Sequence, residues 1–154
     1  RSDPFVQDNE GFTVLHRTLQ YLNKSKSIKC LIKNAPEKVG RKSIHPLNLV
    51  TDRGYTALMF AALRAKSKVV KMLIKDPRVD KDIKNNQGEL ASHIALRELQ
   101  KAKNDLQEAE SLKKSETELK ALRKAVKHFE KVQFLFNKDS LPSYYSSKKT
   151  ITTR

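Results

Sequence analysis

Few side chains in this sequence could do covalent or metal chemistry. Its four histidines are His16, His45, His93 and His128, and Cys30 is its one thiol. Imidazole could serve as an acid, a base or a metal ligand near neutral pH, and a thiolate as a nucleophile. A metal site needs several ligands at set spacings, and no histidine has a Cys, Asp or Glu partner at such a spacing. His45 sits just before Pro46, and His128 just before Phe129. Cys30 lies in the apolar run Ile28-Lys29-Cys30-Leu31-Ile32, where a thiol is a poor nucleophile and is expected to be a small buried hydrophobe. There is no Gly-rich phosphate loop and no Gly-x-Ser-x-Gly elbow. The expectation is a non-enzyme with no catalytic residue, no cofactor and no metal.

Positive charge is the feature left to explain. The 154 residues hold 32 Lys+Arg against 17 Asp+Glu, a net of +15. The excess is spread along the chain, +5, +4, +3 and +3 over residues 1–50, 51–90, 91–136 and 137–154. A dedicated nucleic-acid face is more often one concentrated stripe, so the spread points to solubility or to an acidic partner. One local exception is Lys120, Lys124, Lys127 and Lys131, which fall at helical spacing and share one face. That face is either solvated or a docking site for an acidic partner or phosphates. The longest apolar run is the seven residues from Ala57 to Leu63, far short of the ~20 that span a bilayer. No signal-peptide core opens the chain, and it does not begin with Met, as expected of a piece of a longer protein. With no internal disulfide available, an intracellular, reducing compartment is expected.

Those side chains must be positioned by repeats. Asp8-Asn9-Glu10-Gly11-Phe12-Thr13-Val14-Leu15-His16 aligns with Thr51-Asp52-Arg53-Gly54-Tyr55-Thr56-Ala57-Leu58-Met59, and with Asn85-Asn86-Gln87-Gly88-Glu89-Leu90-Ala91-Ser92-His93. The glycines suit turns with positive φ, and Thr13 and Thr56 stand where a hydroxyl can cap a helix. Leu58, Ala61 and Ala62 then form one apolar face, answered by Val69, Val70, Leu73 and Ile74. The glycines are 43 and then 34 residues apart. The shorter step is near the ~33 of one helix-pair repeat, and the longer holds an insertion, residues 34–48. That stretch contains two prolines, Gly40, Lys38, Arg41 and Lys42, and reads as loop.

The chain resembles the ankyrin-repeat family over about residues 8–98, best in the second segment and most loosely in the third. The resemblance implies an all-α solenoid of helix pairs with short turn fingers. It also implies structural roles for His16 and His93, bonding between repeats, with Met59 in that position in repeat 2.

Residues 90–112 lack Gly and Pro, and Ala91, Ala95, Leu99, Ala102, Leu106 and Ala109 recur at helical spacing. Ser115-Glu116-Thr117-Glu118 reads as a capping box, opening a second helix along Leu119, Leu122, Val126 and Phe129 that ends near Asn137. The expected organisation is ankyrin repeats over 1–90, a long antiparallel hairpin cap over 91–136, and a flexible basic tail over 137–154. The hairpin is read as packing within one chain, a monomer, with a coiled-coil dimer seam as the alternative.

The resemblance places the binding surface at the turn tips and on the inner face of the first helices. In repeat 1 these positions are Asn9, Glu10, Phe12, Gln20 and Tyr21; in repeat 2, Asp52, Arg53, Tyr55, Leu63 and Arg64; in repeat 3, Asn86, Gln87 and Glu89. Tyr21, Arg53, Tyr55 and Arg64 stand out, because Tyr and Arg are enriched at binding hot spots. The expected function is binding a partner protein, with nucleic-acid binding by the stripe Lys120 to Lys131 as the alternative. Lysine-rich, loosely matching repeats joined to a long hairpin also resemble, in style, ankyrin effectors that intracellular bacteria deliver into host cells, which implies action in host cytoplasm or nucleus.

Overall fold

The computed structural model describes residues 4–21, 24–37 and 44–140. Among these are six α-helices and no strand: α1 (Val14–Tyr21), α2 (Ser25–Lys33), α3 (Ala57–Leu63), α4 (Ser67–Lys75), α5 (Ala91–Ser111) and α6 (Glu116–Ser140). Each pair α1–α2, α3–α4 and α5–α6 packs on itself, and α1, α3, α5 form one layer while α2, α4, α6 form the other. The fold is an all-α ankyrin-type solenoid ending in a helical hairpin. Residues 38–43 of the expected insertion and 141–154 of the expected tail lie outside the described residues.

The layers follow from the apolar spacing. Ala57, Leu58, Met59, Phe60, Ala61 and Ala62 are all buried, because α3 sits between α1 on one side and α5 on the other. Its alanines let the neighbouring helices come close. In α2 only Ile28 and Ile32 are buried. Cys30 falls between them on the opposite face and is exposed, so the expectation of a buried thiol is corrected. The insertion is also less loop-like than expected. Residues Pro46–Asn48 form one 3-10 turn, and Leu47 and Leu49 are 1% and 4% exposed. Their apolar side chains pull the end of the insertion into the core.

The three turns are built alike. Gly11 N donates to Asp8 O at 2.9 Å, Gly54 N to Thr51 O at 2.8 Å and Gly88 N to Asn85 O at 2.9 Å. The glycines have φ of 80°, 80° and 77°. Successive turns are tied backbone to backbone. Asp52 N donates to Glu10 O, and Asn86 N to Arg53 O, each at 3.0 Å. A Cβ on Gly11 would lie 2.9 Å from Asp52 N, and one on Gly54 2.8 Å from Asn86 N, whereas on Gly88 it would meet nothing within 4 Å.

A second set of bonds joins the repeats at their other end. Arg78 Nη2 donates to Ile32 O at 3.0 Å and Nη1 to Ala35 O at 3.3 Å, placing a cation on the C-terminal carbonyls of α2. Asp76 holds the guanidinium through Oδ1 and Oδ2, at 3.0 and 2.8 Å. Asn48 Nδ2 donates to Arg78 O at 2.9 Å and its Oδ1 accepts from Asp80 N at 2.8 Å.

The hairpin outgrows the repeats. Near the solenoid, Ala91, Ile94 and Ala95 of α5 and Val132 and Phe136 of α6 join the main core. Farther out, Leu99, Ala102 and Val126 make a separate cluster, with Leu106 and Phe129 against it. Ser115 Oγ accepts from Glu118 N at 3.3 Å and starts α6. The helix runs to Ser140 rather than stopping near Asn137. Asp139, near its end, pairs with Lys81 at 2.8 Å. Helices α3 and α5 end in left-handed residues, Ala65 (φ 53°) and Lys113 (φ 51°). Behind each lies the paired closure Lys66 N to Ala61 O and Ala65 N to Ala62 O, or Lys114 N to Ala109 O and Lys113 N to Glu110 O.

Two stability orderings are expected in urea unfolding. Gly88→Ala should cost about 1 kcal/mol for the left-handed backbone alone, and Gly54→Ala at least about 2–3 kcal/mol because it also forces successive turns apart. Equal losses would show that the turn-to-turn contact carries no weight. Lys113→Gly should raise stability by up to about 1 kcal/mol, and Ala65→Gly by less, since the Ala65 methyl packs against the core.

Candidate functional site

The turns and the helix starts behind them build a cleft between repeats 1 and 2. In each turn a polar side chain accepts the amide four residues on: Asp8 Oδ1 from Phe12 N at 2.9 Å, Thr51 Oγ1 from Tyr55 N at 3.2 Å, Asn85 Oδ1 from Glu89 N at 2.9 Å. Residues 12, 55 and 89 therefore occupy equivalent places in their turns. Behind them, Thr13 and Thr56 cap α1 and α3, accepting from His16 N at 3.3 Å and Met59 N at 3.2 Å.

His16 underpins this arrangement. Its Nδ1 accepts from Thr13 N at 3.0 Å, and an amide can only donate. The proton therefore sits on Nε2, which donates to Leu49 O in the next repeat at 3.0 Å. The ring is 1% exposed. Burial, opposed weakly by the Leu49 carbonyl, pushes its pKa down to about 4. Met59 occupies the same position in repeat 2 and accepts from Thr56 N through Sδ at 3.5 Å. His93 departs from expectation. It is exposed and caps only its own helix, accepting from Leu90 N at 3.3 Å, and among the described residues it makes no hydrogen bond to another repeat.

The cleft has a volume of about 530 Å³ and is lined by Glu10, Phe12, Arg17, Gln20, Tyr21, Asp52, Arg53, Tyr55, Phe60 and Leu63. Its floor is aromatic. Phe60 lies 5.6 Å from Phe12, 5.4 Å from Tyr55 and 5.7 Å from His16, ring centre to ring centre. These are separations at which tilted rings attract. The Arg17 guanidinium stands 3.8 Å over the Phe12 ring. It also pairs with Asp8 at 2.9 Å and Glu10 at 3.0 Å. The Arg17 hydrogen bond is the main reason the Asp8 carboxyl lies below its ordinary pKa.

Eight sequence-chosen residues thus come together here: Glu10, Phe12, Gln20, Tyr21, Asp52, Arg53, Tyr55 and Leu63. Tyr21 is 68% exposed. Arg53 is exposed and makes no ion pair among the described residues. Tyr55 is half-buried, its ring 5.4 Å from Phe60. Burial opposes the charge of nearby Arg97, but hydrogen bonds to Tyr55 and Glu89 outweigh it and raise the guanidinium above its ordinary range. Asn9, Asn86 and Gln87 are exposed outside the cleft, and the Asn86 amide is already used, donating to Asp52 O at 2.8 Å. Glu89 is engaged by Arg97 at 2.6 Å. Arg64 is separated from the other three hot-spot candidates; it lines a different hollow, beside the start of α4. The two lining residues that sequence reasoning missed, Arg17 and Phe60, carried a signal. Both lie four residues after the cap-forming Thr in their repeats.

Lys120, Lys124, Lys127 and Lys131 are all exposed along α6 and make no ion pair among the described residues. Phe134, 61% exposed, extends the stripe at helical spacing. No group of three His, Cys, Asp or Glu among the described residues could hold a metal ion. None of their helices is long and apolar enough to cross a membrane.

The family model described as Ankyrin repeats (3 copies) matches residues 1–86, more than half of the 154-residue chain. A comparison with curated proteins finds no match.

Because the buried His16 is held neutral, stability should fall with acid. The folded state takes up its proton near pH 4 and the unfolded chain near 6.5. Above pH 6.5 the stabilisation is complete, and it is lost as pH drops toward 4, by roughly 3 kcal/mol in all. His16→Met, copying repeat 2, should remove most of this slope while costing about 1–3 kcal/mol at pH 7 for the orphaned Leu49 carbonyl. Urea unfolding across this pH range checks both; a smaller slope from His45, whose pKa burial also lowers, should remain.

Proposed function

The chain belongs to the ankyrin-repeat family, whose repeats serve as protein–protein interaction modules, and on that premise we propose that it binds a partner protein in the cleft between repeats 1 and 2. The observation that carries this is the pairing of a pre-formed aromatic floor with an unpaired arginine. Phe12, Tyr55 and Phe60 stack there, and Arg53 stands at the rim. Aromatic and arginine side chains in a hydrophobic hollow are the usual anchors of binding energy. Since the half-buried Tyr55 ring already packs against Phe60, less side-chain entropy is lost on binding. The turn tips, Asn9, Asn86 and Gln87, flank the cleft as polar contacts.

The proposed partner is acidic. The cleft itself is balanced, with Glu10 and Asp52 beside Arg17 and Arg53, so the preference comes from the overall charge of +15, which steers an acidic surface toward the protein. No residue of the cleft is given a catalytic role in this reading. The compartment proposed is an intracellular, reducing one, in keeping with the exposed unpaired thiol of Cys30. In the effector reading the partner would be a host-cell protein; that rests on the joining of lysine-rich repeats to a long hairpin. The alternative, nucleic-acid binding, is favoured by one observation: the four lysines of α6 make no ion pair among the described residues and end in the exposed Phe134, an arrangement that could track a backbone and stack a base.

The two readings separate when the immobilised chain is exposed to a cell lysate at rising salt, with retained proteins and nucleic acid measured separately. A set of proteins that persists at about 0.15 M salt and drops about tenfold with Arg53→Ala plus Tyr55→Ala is the expected result. If the double variant keeps every protein, the cleft is not the site. Retention of nucleic acid alone, washed off steeply by salt, would move the function to α6.

A further inference from the structure

A second hollow, of about 730 Å³, lies where the loop from α3 to α4 faces the middle of α6. That volume is in the range of a ligand site. Its floor is apolar: the half-buried Leu63 and Phe129 face it, with the buried Ile28 and Val69 beneath them. Its rim is cationic: Arg64, Lys66 and Lys68 on the repeat side, Lys131 on α6. No carboxylate is among its lining residues. Glu130, the neighbour of Lys131 in sequence, is paired with Lys103 of α5 at 3.7 Å. Arg64, Lys68 and Lys131 make no ion pair among the described residues. Lys124, one turn before His128 on α6, continues the rim outward as part of the lysine stripe.

Like charges repel across the hollow, and burial together with the Arg64 charge holds the Lys66 ammonium below its ordinary range. α4 opens at Ser67, and no side chain caps its free amides, so its helix dipole adds to the same potential. Residues 141–154 contain Lys148, Lys149 and Arg154 and no Asp or Glu. A nucleic-acid backbone would meet the cations but leave the apolar floor uncovered.

We propose that this hollow docks an acidic peptide segment that carries apolar side chains, with its carboxylates over Arg64, Lys68, Lys131 and Lys124 and its apolar groups against Leu63 and Phe129. The assignment shares only Leu63 with the aromatic cleft and stands or falls independently of it. It gives the net charge of the chain a local use: cations at the rim speed and orient docking, while the apolar floor selects among acidic sequences.

The test uses the full chain and a fluorescent peptide of about twelve residues combining Glu with Leu at helical spacing, followed by anisotropy at about 50 and 200 mM salt. Controls are the same peptide with every Leu replaced by Ser, and a single-stranded oligonucleotide of similar length. The expected result is binding of the Glu/Leu peptide, weakened at least about fivefold by Lys68→Glu and by Lys131→Glu, and unchanged by Arg53→Ala plus Tyr55→Ala. Both charge reversals lie at exposed helical positions. Lys68→Glu places an acid in the first turn of α4, which favours the helix, and circular dichroism confirms that the fold is kept. The proposal is overturned if the peptide does not bind at low salt, or if the charge reversals leave binding intact. It is equally overturned if the Ser peptide or the oligonucleotide binds as tightly, or if the cleft variant abolishes binding.

Discussion

Two backbone hydrogen bonds, Asp52 N to Glu10 O and Asn86 N to Arg53 O, set the distance between one turn and the next. They form only because Gly11 and Gly54 present no Cβ to the approaching chain. A side chain there would stand in the path of the neighbouring amide, and at positive φ it would also be strained. Once the turns are in register, the helices behind them are too. α3 lies against α1, its alanines become buried, and His16 reaches the Leu49 carbonyl. The cleft is a consequence of the same spacing, since it is what lies between two turns held one bond apart.

The repeats are held at both ends of the helices by different chemistry. On the turn side the ties are backbone amides and one buried neutral imidazole. On the far side they are a guanidinium and an amide side chain, Arg78 and Asn48, which gather the C-terminus of α2, the inserted segment and the start of the third repeat. The insertion would otherwise be a long closure with its own entropy cost. Burying Leu47 and Leu49 and bonding Asn48 offset that cost and let the repeat tolerate its extra length. In the third repeat the stacking rule is unchanged but the helices are overgrown: α5 and α6 meet the solenoid with one part of their length and each other with the rest. This extension presents α6 beside the start of α4 and creates the cationic hollow.

Much of the fold and most of the cleft were legible because they depend on local rules. Glycine at a turn, threonine at a cap and apolar residues every three or four positions each act within a few neighbours. Glu10, Phe12, Tyr21, Arg53 and Tyr55 could be placed by repeat position alone, and the structure gathers them in one cleft. The misreadings share one cause. Cys30 was judged by its apolar neighbours in sequence, but a helix turns it two positions away from Ile28 and Ile32 to the solvent side. His93 was assigned the role of His16, but a histidine bonds to the next repeat only if it is buried beneath one, and His93 is exposed. Arg64 was grouped with Arg53, yet it stands at the end of α3 and lines the other hollow.

What the sequence determined by itself was the set of repeating units: where chains turn, where helices start, which face of each is apolar, and that no familiar constellation for catalysis or metal binding is spelled out. These are properties of short segments, governed by backbone sterics and side-chain solubility. What only the tertiary structure decided was which residues meet across repeats. The neutral state of His16 depends on being buried beneath the next repeat, the grip of Arg78 on carbonyls more than forty residues away, and the hollow on where α6 crosses α4. Each needs distances between segments whose separation in sequence carries no trace of their separation in space, because packing, not chain order, sets it.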